Sequence, residues 1–127
     1  MLVAYDGSPP AQRALLHAAD LVGEGGKLAV INVIPVQAVS ARLETVSDEE
    51  RGVQENLLRE ASEALSRQSI AMEPITAVGD PATEILAAAE SRNAEMLVVG
   101  RSGKHRLRNS LSARLVRSAN TDVLVVH

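Results

Sequence analysis

The chain has 127 residues with 16 acidic and 13 basic side chains, a net charge of −3; this fits a single domain over 1–127 and gives no general electrostatic reason to bind nucleic acid. With no cysteine present, disulfides, thiol catalysis and Cys-based zinc sites are excluded. No apolar run approaches the roughly 18 residues needed to span a bilayer, and Met1–Ala4 has no basic n-region, so no membrane partner and a cytoplasmic location are expected.

Leu2–Tyr5 is a short apolar run closed by Asp6-Gly7-Ser8 and reads as a buried strand ending in a turn. Ser8 suits an N-cap and Pro9 the first helical position. Ala11, Leu15, Ala18 and Val22 then share a helical face that Gly23 and Gly25-Gly26 terminate. Lys27–Ile34 is the second strand, ended by Pro35. Val36–Val46 lacks a period and reads as a loop. Ser47-Asp48-Glu49-Glu50 is a capping box opening a helix whose expected buried face carries Val53, Leu57, Ala61 and Leu65. Ile70–Val78 is a third strand, and Pro74 within it favours an edge position. Asp80 caps the next helix, with Pro81 at its start and Ile85, Leu86 and Ala89 facing inward. Met96–Val99 is a continuous apolar strand of the kind covered on both faces. Asn109 or Ser110 caps a last helix bearing Leu111, Leu115 and Val116, and Val123–Val126 is the final strand. Such alternation specifies an α/β fold: a doubly wound parallel sheet with helices on both faces.

Ligands of open α/β sheets bind beyond the carboxyl ends of the strands, where the strand order reverses. The ends here are Asp6-Gly7-Ser8, Val33-Ile34-Pro35, Gly79-Asp80-Pro81 and Gly100–Gly103, and all four should open onto one edge. Asp6 can accept hydrogen bonds from an exocyclic amine or a ribose hydroxyl, or can simply close the turn. From Arg101 to Arg117 the chain carries Arg101, Lys104, His105, Arg106, Arg108, Arg114 and Arg117 and no carboxylate. The glycines Gly100 and Gly103, the helix start near Ser110 and the hydroxyls of Ser110 and Ser112 make this segment a candidate anion site.

Leu2-Val-Ala-Tyr-Asp-Gly-Ser8, Gly79-Asp-Pro-Ala82, Met96-Leu-Val-Val-Gly-Arg-Ser-Gly103, Ser110-Leu-Ser112 and Asp122-Val-Leu-Val-Val126 together resemble the signature blocks of the universal stress protein family. The resemblance covers the chain from end to end. It implies a five-stranded sheet of order 3-2-1-4-5, a homodimer through the last strand (Val123–Val126) and, in the nucleotide-binding branch, ATP or another adenine nucleotide at the strand ends, with or without Mg2+. Carried over by residue, Ala4 and Asp6 would meet the adenine and ribose, and Val33 would line the base pocket. Val99, Gly100 and Gly103 would follow the ribose and phosphates, and Ser110, Leu111 and Ser112 would donate to the phosphate tail. The family pattern places nine residues and a glycine after Gly-x-x-Gly. Here five residues separate Gly103 from Asn109, which stands in place of that glycine. Asn tolerates the left-handed region and caps helices well, but the shortened loop should wrap fewer phosphates.

A response-regulator receiver is excluded, because Asp6 lacks an acidic neighbour and Gly100 stands where a phosphorylatable Asp would be needed. A dedicated ATPase would need a Walker lysine and paired carboxylates, and the sequence has neither in place. The expected role is a stress-response regulator or sensor rather than an enzyme, with any hydrolysis slow and incidental. The alternative is a dimeric interaction module of the same family that binds no nucleotide.

Overall fold

The structure is a computed structural model and describes residues 1–35, 46–101 and 110–127. Most of the expected loop after Pro35, together with Gly103, Asn109 and the basic residues between them, lies outside the described residues. The elements run β1 (Leu2–Ala4), α1 (Pro9–Val22), β2 (Lys27–Pro35), α2 (Asp48–Ser66), β3 (Ala71–Gly79), α3 (Pro81–Ser91), β4 (Met96–Gly100), α4 (Leu111–Ser118) and β5 (Asp122–Val126). The five strands form one parallel sheet in the order β3-β2-β1-β4-β5.

Alternation along the strands builds two apolar layers. Val3, Tyr5, Leu28, Val30 and Val98 face α1 and α2, packing on Ala14, Leu15, Ala18, Leu58 and Leu65. Leu2, Ala4, Ile31, Leu97 and Val99 face the other side and pack on Ala82, Ile85 and Ala89 of α3 and Leu115 of α4. The central strands are therefore apolar on both faces, as Met96–Val99 suggested. Pro74 sits on the edge strand β3, opposite Val30, where its missing N–H can face away from the sheet.

The helix ends follow the local chemistry of the chain. Ser8 and Ser110 cap α1 and α4 through their hydroxyls, Asp80 caps α3 through its carboxylate, and Ser47 with Glu50 forms the full capping box of α2. Gly7 has φ +81, and a Cβ there would lie 2.6 Å from Leu57 Cδ2. The β1–α1 turn thus needs glycine for its conformation, and a side chain there would also displace the Leu57 methyl group.

Two expected helix faces are corrected. On α2 the buried residues are Gln54, Leu58, Ala61 and Leu65; Leu57 is half-buried and Val53 is 59% exposed. A strict spacing of four drifts by about 40° per step, so a face traced back from Leu65 in fours rotates away from the sheet. On α4, Leu115 is buried as expected, but Val116 is 54% exposed, and the second buried position is Ser112, three residues before Leu115. On α3, Ile85 and Ala89 are buried and Leu86 half-buried.

Candidate functional site

β1 is the shortest strand, and its two neighbours outrun it. Its pairing with β2 ends at Ala4 opposite Ile31, whereas β2 continues against β3 to Pro35 opposite Gly79. On the other side β4 continues to Gly100, paired with Val126 of β5. A cleft therefore opens beyond the end of β1, at the point where the sheet order reverses, as the general rule for open α/β sheets requires. It is a cavity of about 530 Å³, within the range of ligand sites for small molecules.

The cavity is mostly apolar with a few polar groups at its rim. Ala4, Ile31, Val33 and Val99 come from the strands, Ile85 and Leu111 from α3 and α4, and Pro9, Pro10 and Pro81 from the helix starts. Asp6 and Arg101 are the charged side chains that line it among the described residues. Asp6 Oδ1 accepts from the Ser8 backbone N–H at 2.9 Å and from the Ser8 hydroxyl, so Asp6 does close the turn while presenting its exposed carboxylate to the cavity. The Arg101 guanidinium lies 3.0 Å from His127 Nδ1, and its backbone N–H donates to Val126 O at 2.7 Å. Burial, helped by the nearby charges of Glu60 and then Asp6, pushes the Tyr5 phenol above its ordinary pKa, so the cavity wall stays neutral at Tyr5.

Three helices begin at the rim, but they are not equivalent toward an anion. α1 starts with Pro9-Pro10, which have no N–H to offer, and the Ala11 N–H points to Ser8 Oγ. α3 starts with Pro81, and its cap is already an anion, since Asp80 Oδ2 accepts from the Thr83 N–H and hydroxyl. α4 starts with neither a proline nor a carboxylate cap, and its first residue, Leu111, lines the cavity. The α4 end is therefore where the helix dipole and backbone donors favour negative charge.

The structure redirects part of the basic segment. Arg114 Nη1 and Nη2 form a two-pronged pair with Asp80 Oδ1 and Oδ2 at 3.0 and 2.9 Å, tying α4 to α3 instead of facing an anion. The Arg114 guanidinium, then Thr83, hold the Asp80 carboxyl well below the usual carboxylate range. A carboxylate with a lowered folded-state pKa contributes stability that is present above its unfolded pKa and is lost as pH falls toward the folded value. Both side chains are over 40% exposed, so solvent screening keeps the contribution of the pair small. Asp80→Asn, which keeps the cap, is expected to lower the melting temperature slightly at pH 7. The difference should shrink below about pH 4, as melting curves from pH 7 to pH 2 would show.

Comparison with known proteins decides the family. The model of the universal stress protein family matches residues 1–127. This chain belongs to the universal stress protein family. A universal stress protein of Mycobacterium tuberculosis strain H37Rv is 31% identical over 140 aligned positions, covering 100% of this chain and 94% of its own length. The alignment is longer than the 127 residues here, so that relative carries additional residues. The universal stress protein UspA of Lactobacillus plantarum shares the fold, with a TM-score of 0.82 at 21% identity, covering 99% of this chain and 95% of that one. A universal stress protein solved in complex with cAMP has a TM-score of 0.76 at 27% identity, covering 99% and 94%. The sheet order of the family, 3-2-1-4-5, is the order observed.

Of the site residues that the universal stress protein resemblance implied, the structure gathers Ala4, Asp6, Val33, Val99, Gly100 and Leu111 around one cavity. Ser110 Oγ accepts from the Ala113 N–H at 3.3 Å, which leaves its O–H able to donate, and the Ser112 side chain is buried; neither residue is among those lining the cavity. Gly103 and Asn109 lie outside the described residues. As cavity-lining residues, sequence reasoning missed Ile31, Asn32 and Ile85 and the four prolines Pro9, Pro10, Pro35 and Pro81. Asn32 did leave a signal, as the one polar residue in the run from Leu28 to Ile34.

Proposed function

We propose that this universal stress protein is a regulatory adenine-nucleotide-binding protein, one domain over 1–127, that works in the cytoplasm as a sensor rather than as an enzyme. The observation that carries the reading is the cavity beyond β1, with an apolar slot at Ala4, Val33 and Val99, a carboxylate at Asp6 and a helix start at Leu111. A planar base fits the apolar slot, and Asp6 accepts from the ribose hydroxyls or the base amine. The α4 start takes the phosphate. The solved relative with cAMP bound supports a ligand of this class. Among the described residues no three His, Asp or Glu side chains converge to hold a metal ion, so Mg2+ would enter on the phosphates of the nucleotide.

With Arg114 committed to Asp80, Arg101 is the cation lining the cavity among the described residues. The segment from Gly103 to Asn109 is shorter than the family pattern and should wrap fewer phosphates, so AMP, ADP and ATP are expected to bind with affinities within about threefold of one another, a spread of under 1 kcal/mol. Titration calorimetry of the three nucleotides tests this. No heat with any of them at millimolar concentration, and no nucleotide released by acid from the purified protein, would leave the interaction-module reading in its place.

The homodimer belongs to the same proposal. β5 is an edge strand whose Val123, Leu124 and Val125 are half-buried, and exposed apolar edges invite pairing. Light scattering at micromolar concentration should give the mass of a dimer, and Val125→Lys should give that of a monomer. A monomeric unmutated chain contradicts the pairing.

A further inference from the structure

Beyond Ala4 and Ile31 the strands β1 and β2 part, and the cavity lies in the fork. The inner face of β2 that carries Leu28 and Val30 is apolar up to this point. At the fork it carries Asn32, 7% exposed, against Gln54 of α2, 4% exposed. Asn32 Nδ2 donates to Tyr5 O at 2.8 Å. Gln54 Nε2 reaches Asn32 O at 2.8 Å, Asn32 Oδ1 at 3.1 Å and Ala77 O at 3.2 Å. Two amide side chains thus bind the ends of β1, β2 and β3 to one another and to α2. No buried side-chain polar atom among the described residues lacks a partner.

Burying two amides is not the least costly way to fill a layer that leucine and methionine fill elsewhere. The location accounts for the choice. Tyr5 O lies one residue past the last paired residue of β1, and its partner is a side chain of β2 rather than a strand N–H. The Tyr5 N–H still donates to Ile31 O at 2.9 Å, so the ladder ends within Tyr5, and the Asn32 side-chain amide takes the place of the next strand N–H at Tyr5 O. Tyr5 and Asp6 at the end of β1 and Val33 on the overhang of β2 all line the cavity, as does Asn32 between them in the hydrogen-bond network.

We propose that Asn32 and Gln54 are the positioning pair of the base slot, setting the gap between the end of β1 and Val33 to the thickness of a planar purine. This rests on the nucleotide reading above. Gln54 lies outside the cavity lining and acts through Asn32, whereas Asn32 lines the cavity beside Tyr5, Asp6 and Val33.

The test compares AMP with ribose 5-phosphate, which has the same phosphate and sugar without the base. Both are titrated by NMR, which reads millimolar constants, into the unmutated chain, Gln54→Leu and the double variant Asn32→Leu/Gln54→Met. AMP affinity should fall at least tenfold in the variants, while that of ribose 5-phosphate stays within twofold. A merely structural role would weaken both ligands alike, and that result, or unchanged AMP affinity in a folded variant, overturns the proposal. If the double variant does not fold, Gln54→Leu decides. An unmutated chain that binds AMP no more tightly than ribose 5-phosphate overturns this proposal through the nucleotide reading itself, an outcome visible before any variant is made.

Discussion

Gly100→Val is expected to destabilise the chain by about 3 kcal/mol, the upper end of what overpacking costs. A Cβ at Gly100 would lie 2.4 Å from the backbone carbon of Pro10 and 2.6 Å from both Pro10 O and Ala11 N. These are main-chain atoms in the first turn of α1, held by the Ser8 cap and by proline rings, so no side-chain rotation relieves the overlap. Either α1 moves off β4, opening the layer around Ala11, Ala14 and Val98, or β4 bends out of the sheet. The glycine is thus needed for close packing of helix on strand, besides leaving backbone exposed to the cavity. Gly52→Ala is the contrasting control, because nothing lies within 4 Å of its Cβ position in mid-α2; it should stabilise by about 0.5–1 kcal/mol. Urea unfolding of the two variants reads both values, and a Gly100→Val protein as stable as the parent would contradict the packing described.

Asp6→Ala is expected to weaken adenine-nucleotide binding by about ten- to a hundredfold, as follows from losing a charge-assisted hydrogen bond of roughly 1.5–3 kcal/mol. Part of the effect of this variant is structural, since Asp6 Oδ1 also holds the Ser8 N–H. Asp6→Asn separates the two roles. Its side-chain oxygen still accepts from Ser8 and keeps the turn, whereas its charge and one acceptor oxygen are gone. Binding should therefore fall in both variants while the melting temperature falls in the alanine variant alone. Calorimetry giving Asp6→Asn the parent's affinity would assign Asp6 to the turn.

The fold was legible because each strand is a short apolar run and each helix start is marked by Ser8, Ser47, Asp80 or Ser110. Those caps act within a few residues of sequence and need no tertiary context. The strand ends around Asp6, Val33 and Gly100 were legible for the same reason, together with the rule that such ends share one edge. What failed depended on long-range partners. Gln54 is buried because Asn32 and Ala77 offer carbonyls to it across the α2–β2 contact, so spacing within α2 pointed to Val53 and Leu57 instead. Arg114 looked like part of an anion site until its contact with Asp80, 34 residues away in the chain, showed where its charge goes. The pitch of α4 turns the Ser112 side chain beneath the helix, while its backbone N–H stays in the first turn, where helix donors are left over.

The proposed place of the adenine nucleotide is the cavity beyond the end of β1. Backbone amide shifts of 15N-labelled protein during an AMP titration test it most directly. Saturable shifts are expected to concentrate at Ala4, Asp6, Val33, Val99, Gly100 and Leu111. Smaller shifts, or none, should fall on the groove of Glu90, Asn93 and Asn120 at the opposite end of the sheet. Shifts concentrated in that groove, or no saturable shift at millimolar AMP, would contradict it.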